Sequence, residues 1–317
     1  MRLQIENDTG FLYTASSPVL ELNDRAKWHF SGWNETMGES APDSDKDPAA
    51  AIAWRFVQAR RDASALPDFP GAIPATMRDA YRVQESALAQ WPDTIVGWKV
   101  GFIAPELREA GGDDRLVGPI FAQGLQRVGV DQSVDFPVFS GGFAAVEAEI
   151  VFRIGVDAPA GRSEWTPAQA AEMAEDLHIG IETAGSPLAT INDLGPRVVV
   201  SDFGNNAGML LGPKIPRWRE LGSPLFSCTS FVDGRAVGSA VVKDLESGPL
   251  VALAFALSRC ARNGRPLRAG DFVTTGALTG IHEIAAGQSA RVEFGNYGSL
   301  RCRAIEAGAF ARERSPH

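Results

Sequence analysis

The chain is short of cysteine, of histidine and of long apolar runs, and each scarcity closes off a class of protein. Three cysteines, Cys228, Cys260 and Cys302, lie far apart and form no CxxC pair. They fit neither a structural zinc site nor a disulfide framework, which reads as a protein of a reducing, cytoplasmic compartment. The longer apolar runs, such as Leu250 to Leu257, fall well short of a bilayer span. After Met1-Arg2 the chain continues Leu3-Gln4-Ile5-Glu6-Asn7-Asp8, with no apolar core of a secretory signal. The Asn-x-Thr matches at Asn7 and Asn34 therefore carry little weight. There is no Gly-x-Ser-x-Gly, no P-loop and no His-x-x-Glu pair near the N-terminus, and that last absence counts against a carbon-carbon bond hydrolase using a His-Glu base. Positive charge is scarce too: the net charge of -9 and pI of about 5.1 argue against a nucleic-acid partner. A small anionic substrate stays compatible, because one buried site can be positive on an acidic protein.

What the chain does have is ordinary globular material: 317 residues, 44% hydrophobic, are ample for one large domain or two smaller ones. Residues 1–47 stand apart, without sustained periodicity and ending in a polar run from Glu39 to Asp47. They read as a flexible leader, or else as a short hairpin around Trp28 and Trp33. Residues 1–36 are expected to be dispensable, with Met37 as an alternative start. Asp47-Pro48 then caps a helix with the stripe Ile52, Phe56, Val57, and Thr76 caps a second with Met77, Tyr81 and Leu88. From Thr94 the pattern turns to strands: 94–102, 146–154, 179–183, 207–211, 226–232 and 237–242. Helices interrupt them at Thr166-Pro167 and from Pro249 to Arg262, the latter stopped by Asn263-Gly264. Residues 289–305 read as two strands around Gly295-Asn296-Tyr297-Gly298. Helices first and strands after predict an α+β fold, with 48–93 a helical part, 94–306 the catalytic β-rich part and 307–317 a flexible tail.

The segment Val146-Glu147-Ala148-Glu149-Ile150-Val151-Phe152-Arg153-Ile154 carries the most chemistry. Val146, Ala148, Ile150, Phe152 and Ile154 share one face, so Glu147 and Glu149 project side by side from the other. Adjacent carboxylates repel, and water, a basic partner or a cation can accommodate them. A solvated strand face is the plain reading. A second strand adds Glu182, and three carboxylates from two strands would make a hard oxygen site suited to Mg²⁺ or Mn²⁺ rather than zinc.

Five stretches, in order, resemble the 2-keto-4-pentenoate hydratase branch of the fumarylacetoacetate hydrolase superfamily, over roughly residues 48–306. Val146 to Phe152 resembles its metal-binding strand, and Gly97-Trp98-Lys99-Val100-Gly101 its Gly-x-Lys-x-Gly strand. Ile181-Glu182-Thr183-Ala184-Gly185-Ser186 is similar to the segment supplying a third ligand, and 201–208 to an Asp-Asn-rich turn. Leu267-Arg268-Ala269-Gly270-Asp271, followed by Thr275-Gly276-Ala277-Leu278-Thr279-Gly280, resembles its C-terminal signature. The resemblance implies a mixed β-roll of the C-terminal type of that superfamily. It implies Mg²⁺ or Mn²⁺ on Glu147, Glu149 and Glu182, with Lys99 moving protons at a lowered pKa. It further implies Thr275, Gly276 and Asp202 at a small 2-oxo or 2-hydroxydienoic acid, and a homo-oligomer in aromatic-compound catabolism. The implied reaction is hydration of a 2-hydroxy-2,4-dienoate to a 4-hydroxy-2-oxo acid. The alternatives are a 4-oxalocrotonate-type decarboxylase and a non-catalytic companion subunit, and for Lys99 a purely structural pairing with Glu147 or Glu149.

Two departures accompany the match. Leu116, in Arg115-Leu116-Val117-Gly118, stands where the hydratases usually carry an acid, and Pro187 follows Gly185-Ser186 where arginine is frequent. His178 shares the strand face of Glu182 and reads as a core histidine. His282 reads either as a pocket residue or as an exposed loop histidine.

Overall fold

The structure, a computed structural model, describes residues 42–308. The predicted leader up to 41, including the expected start at Met37, and the tail from 309 lie outside the described residues. In chain order come α1 (Pro48–Arg61), α2 (Met77–Gln90), β1 (Ile95–Phe102), β2 (Arg115–Phe121), β3 (Leu125–Arg127), β4 (Ser133–Val138) and β5 (Phe143–Ile154). There follow α3 (Pro167–Met173), β6 (Ala174–Ser186), α4 (Pro196–Ser201), β7 (Asn206–Lys214), β8 (Phe226–Val232) and β9 (Arg235–Val242). The last are α5 (Pro249–Arg262), β10 (Phe272–Thr274), β11 (His282–Glu283), β12 (Ser289–Glu293) and β13 (Ser299–Glu306). This is the expected α+β architecture of few helices and mixed sheets.

The helices begin where their caps predict. Asp47 accepts from the Ala50 amide ahead of Pro48, and Thr76 accepts from the Asp79 amide. Thr166 and Gln169 form a reciprocal capping box on α3. The structure adds β2 and β4, which the sequence pattern does not announce, because Pro119 and Pro137 interrupt runs that would otherwise read as strands.

One sheet runs β2-β1-β10-β5-β6-β7-β3, with β11 also on β5. Its two edge strands, β2 and β3, are joined by a single 3₁₀ turn at Ala122–Gly124, so the sheet curls back upon itself. The approach is backbone to backbone: a Cβ on Gly124 would stand 3.0 Å from the Gly208 Cα, and one on Gly118 2.2 Å from the Phe203 carbonyl oxygen. The second sheet, β4-β13-β12-β8-β9, covers the outer face of the first. There Val146, Ala148, Ile150, Phe152 and Ile154 pack with Val292, Leu300 and Ala304 in one buried core that α5 completes. Truncating a fully buried Phe152 to alanine would cost about 3–5 kcal/mol. Among the described residues no helix is long and apolar enough to cross a membrane, and the three cysteines are buried and unpaired.

The inner face of the curled sheet is closed at one end by Ile52, Phe56 and Val57 of α1, packed with Phe143, Ala145 and Ala184. At the other end Ile120, Val151, Met209, Leu211 and Phe272 form a separate apolar layer. Between the two layers lies the polar level of the protein.

Candidate metal centre

Strands β5 and β6 pair antiparallel with Glu147 opposite Glu182 and Glu149 opposite Gly180. Directly opposed residues share a face, so all three carboxylates enter the curled sheet together. A solvated strand face is thereby corrected: both faces of β5 are buried, and Glu147, Glu149 and Glu182 are 5%, 0% and 0% exposed. Period-two alternation reports that the faces differ, and the curl of the sheet decides that neither meets water. Gly180 leaves room for Val151 beside the acids, since a Cβ there would be 2.7 Å from Val151 Cγ2.

Lys99 arrives from β1, 6% exposed, with Nζ 3.2 Å from Glu182 Oε1. Its aliphatic stem lies beneath Gly204, where a Cβ would sit 3.3 Å from Lys99 Cδ. Asn206 Nδ2 donates to the same Glu182 oxygen at 3.1 Å. On the far side, the amides of Thr275 and Gly276 donate to Glu149 Oε2 at 2.9 and 2.8 Å, and Thr275 Oγ1 donates to the Ile150 carbonyl. Both residues are half-buried, in the loop where β10 stops pairing with β5. Expected at the substrate carboxylate, they direct their amides to Glu149 here.

Candidate ligand oxygens of Glu147, Glu149 and Glu182 lie within 4.8 Å of one another. With all four groups ionised, one lysine against three glutamates would leave the buried level two negative charges in excess. Burial, then Glu182 and Glu147, push the Glu149 carboxyl well above the usual range. Burial likewise raises Glu147 to about 7, against the pull of Lys99 and with a further push from Glu182. For Lys99 burial acts downward, but the fields of Glu182, Glu147 and Glu149 outweigh it and hold the ammonium above its ordinary value. The expected lowered lysine pKa therefore requires positive charge among the carboxylates. Glu149 Oε1 and Glu182 Oε2 are buried without a hydrogen-bond partner. Orphaned buried carboxylate oxygens cost free energy unless something claims them. A hard divalent cation fits on both counts: it takes oxygen ligands and cancels two charges.

Asp202, expected at the substrate, belongs to a neighbouring buried cluster. Its Oδ1 accepts from Arg60 Nε at 2.5 Å and its Oδ2 from Ser186 Oγ at 2.6 Å, so both oxygens are engaged within the protein. Arg60 also donates to the carbonyls of Asn206 and Gly185. The signal for Arg60 is present in the sequence, as it continues the apolar stripe Ile52, Phe56 by four residues. A charged group on a buried helix face announces a buried partner. Asn206 is likewise missed, although it lies in the turn that carries Asp202.

His178 sits on the triad's face, its Nδ1 2.9 Å from the Gly212 carbonyl oxygen and its ring edge-on to Phe272. His282 pairs opposite Val146, hence on the outer face, with Nε2 3.0 Å from Thr279 Oγ1. Leu116 lies opposite Gly101, one step along the inner face from Lys99, and is 4% exposed. A cleft of about 770 Å³ near Tyr81, Ile103 and Arg259 contains none of the triad. There Arg259 and Arg262 both pair with Asp113, so these charges are met within the protein, unlike those of the triad.

Comparison with family models gives no match. The chain is 26% identical over 270 residues to a 2-keto-4-pentenoate hydratase of Burkholderia vietnamiensis strain G4, covering 83% of this chain and 100% of that protein. It is 28% identical over 207 residues to the TodF product hydratase of Pseudomonas putida strain F1, covering 65% of this chain and 75% of that one. In fold it is similar to 4-oxalocrotonate decarboxylase from Pseudomonas putida G7, complexed with calcium and acetate. That likeness has a TM-score of 0.66 at 20% identity, over 82% of this chain and 98% of the decarboxylase. The chain thus resembles, in sequence and in fold, the 2-keto-4-pentenoate hydratase branch of the fumarylacetoacetate hydrolase superfamily.

Proposed function

We propose that this protein is a divalent-metal-dependent hydro-lyase that adds water to a 2-hydroxy-2,4-dienoate to give a 4-hydroxy-2-oxo acid. The observation that carries the reading is the buried Glu147, Glu149 and Glu182 set, two charges in excess when all are ionised, with Lys99 Nζ 3.2 Å from Glu182 Oε1. The names of the related hydratases give the reaction class. Glu147, Glu149 and Glu182 would hold Mg²⁺ or Mn²⁺, which supplies a Lewis acid for the negative charge that develops on an enolate.

The remaining work falls to the chain. Thr275 and Gly276 fix Glu149 through two amide hydrogen bonds, and Gly276 needs glycine because its φ is 111°. Lys99 Nζ moves the proton between the 2-hydroxyl oxygen and carbon 5, and water then adds at carbon 4. The half-buried loop at Thr275 and Gly276 is the side from which a substrate carboxylate meets the centre. The walls that bury Lys99 keep bulk water off it, so its proton goes to substrate.

A second reading keeps the same residues and removes CO₂ instead. Leu116 favours it, because an apolar side chain next to Lys99 offers no carboxylate to activate water. The test is decay of 2-hydroxypenta-2,4-dienoate with Mg²⁺ or Mn²⁺, repeated with EDTA, alongside 4-oxalocrotonate. Metal-dependent loss of the dienoate supports the hydratase, and CO₂ release from 4-oxalocrotonate alone supports the decarboxylase. Metal binding without turnover of either would leave a companion subunit.

A further inference from the structure

Arg60 stands on α1, outside the curled sheet, yet an unbroken line of polar contacts runs from it to the triad. Its Nε donates to Asp202 Oδ1 at 2.5 Å, its Nη1 to the Asn206 carbonyl at 3.1 Å and its Nη2 to the Gly185 carbonyl at 2.9 Å. Asn206 Nδ2 donates to Glu182 Oε1, the oxygen that also receives Lys99. The guanidinium therefore grips both ends of the turn 202–206.

That turn is unusual backbone. Phe203, Gly204 and Asn205 have φ of 54°, 66° and 62°, three left-handed residues in succession, two of them not glycine. Such a run persists only where its surroundings over-determine it. Arg60 provides that hold, gripping the turn at Asp202 and Asn206 while its Cζ lies 5.2 Å from the Phe203 ring centroid. The turn touches the centre twice, at Glu182 through Asn206 and along the Lys99 stem through Gly204.

We propose that Arg60 is a positioning residue of the metal centre: by clamping the left-handed turn 202–206 it sets Asn206 against Glu182 and Gly204 against Lys99. The proposal rests on the metal reading above. A residue that merely neutralised Asp202 could be a lysine. Only a planar fork reaches Asp202, Asn206 and Gly185 together.

The experiment is a calorimetric titration of the full chain with Mn²⁺, for wild type, Arg60→Lys, Asn206→Ala and the double variant, with melting temperatures measured alongside. Each single change should weaken Mn²⁺ about tenfold or more, the usual effect of losing a group that orients a metal ligand. The double variant should be no weaker than the worse single one, within about threefold, because both cut the same path. Additive losses, or unchanged Mn²⁺ affinity in Asn206→Ala, would overturn the proposal and leave the metal reading intact. A wild type that binds no Mn²⁺ overturns the metal reading first and this proposal with it. Should Arg60→Lys not fold, Ser186→Ala, which loosens Asp202 beneath Arg60, takes its place in the cycle under the same criteria.

Discussion

Two buried charged clusters share strand β6, and they are built on opposite terms. Around Ser186, Arg60 and Asp202 cancel in charge, and both oxygens of Asp202 have partners. Around Glu182, four residues earlier, three glutamates face one lysine, and Glu149 Oε1 and Glu182 Oε2 have none. Both clusters are equally withdrawn from water, so burial alone separates nothing. What separates them is whether the protein has met its own electrostatic demands. The first has, and bears on the centre only by holding the turn 202–206 in place. The second has not, and a divalent cation would meet the demand its carboxylates leave open.

The contrast can be broken by mutation. The largest effect is expected for Lys99→Met with Mn²⁺ bound: kcat for the dienoate should fall by a factor on the order of 10² to 10⁴, with metal affinity retained. Loss of stability at normal turnover per folded molecule would instead make Lys99 structural. In the satisfied cluster the cost should fall on folding. Asp202→Ala strands the Arg60 charge and should destabilise by about 3–5 kcal/mol in urea unfolding. A loss under about 1 kcal/mol would mean that Arg60 finds water, and the distinction between the clusters would lapse. Glu149→Gln should do the reverse to the metal-free protein. It removes a carboxyl that burial and its neighbours force to hold a proton the unfolded chain would release, so the melting temperature in EDTA should rise by a few degrees while Mn²⁺ affinity drops by roughly 100-fold or more.

Much of this is legible in the amino-acid sequence. Asp47-Pro48, Thr76 and Thr166-Pro167 mark helix starts because capping is local chemistry, and the acids of β5 stand out because alternation is local too. What local patterns miss depends on closure. The curl that turns the Glu147 face inward is made by Gly118 meeting Phe203 and Gly124 meeting Gly208, contacts between segments some 85 residues apart in the numbering. Asp202 stands out as an acid in a matching turn, whereas its neighbour Asn206 is the residue that touches Glu182. Which side chain of a tight turn reaches the centre depends on the left-handed run at 203–205, and no periodicity reports that.

The smallest expected effect is one of pH, and its sign tests whether the glutamates of the second cluster hold protons in the absence of a metal. Burial, opposed by Lys99 and reinforced by Glu182, lifts Glu147 from its ordinary 4.5 to about 7, and burial with the charges of Glu182 and Glu147 lifts Glu149 well above its usual range. Between those values the folded, metal-free chain keeps protons that the unfolded chain has released. A group raised in this way contributes stability that is complete below its unfolded pKa and is lost as pH rises through its folded pKa. In EDTA the melting temperature should therefore decline by a few degrees from pH 5.5 to 7.5. His178 and His282, both lowered chiefly by burial, pull the other way, since their contribution is lost as pH falls below their ordinary 6.5. Subtracting the curve of Glu147→Gln isolates the part that Glu147 contributes. A cation requires bare carboxylates, so the rise in melting temperature on adding Mn²⁺ should grow over the same interval. An EDTA curve that climbs with pH after that subtraction would mean that Glu147 is ionised and content without a metal, and the demand for a divalent cation would have to be withdrawn.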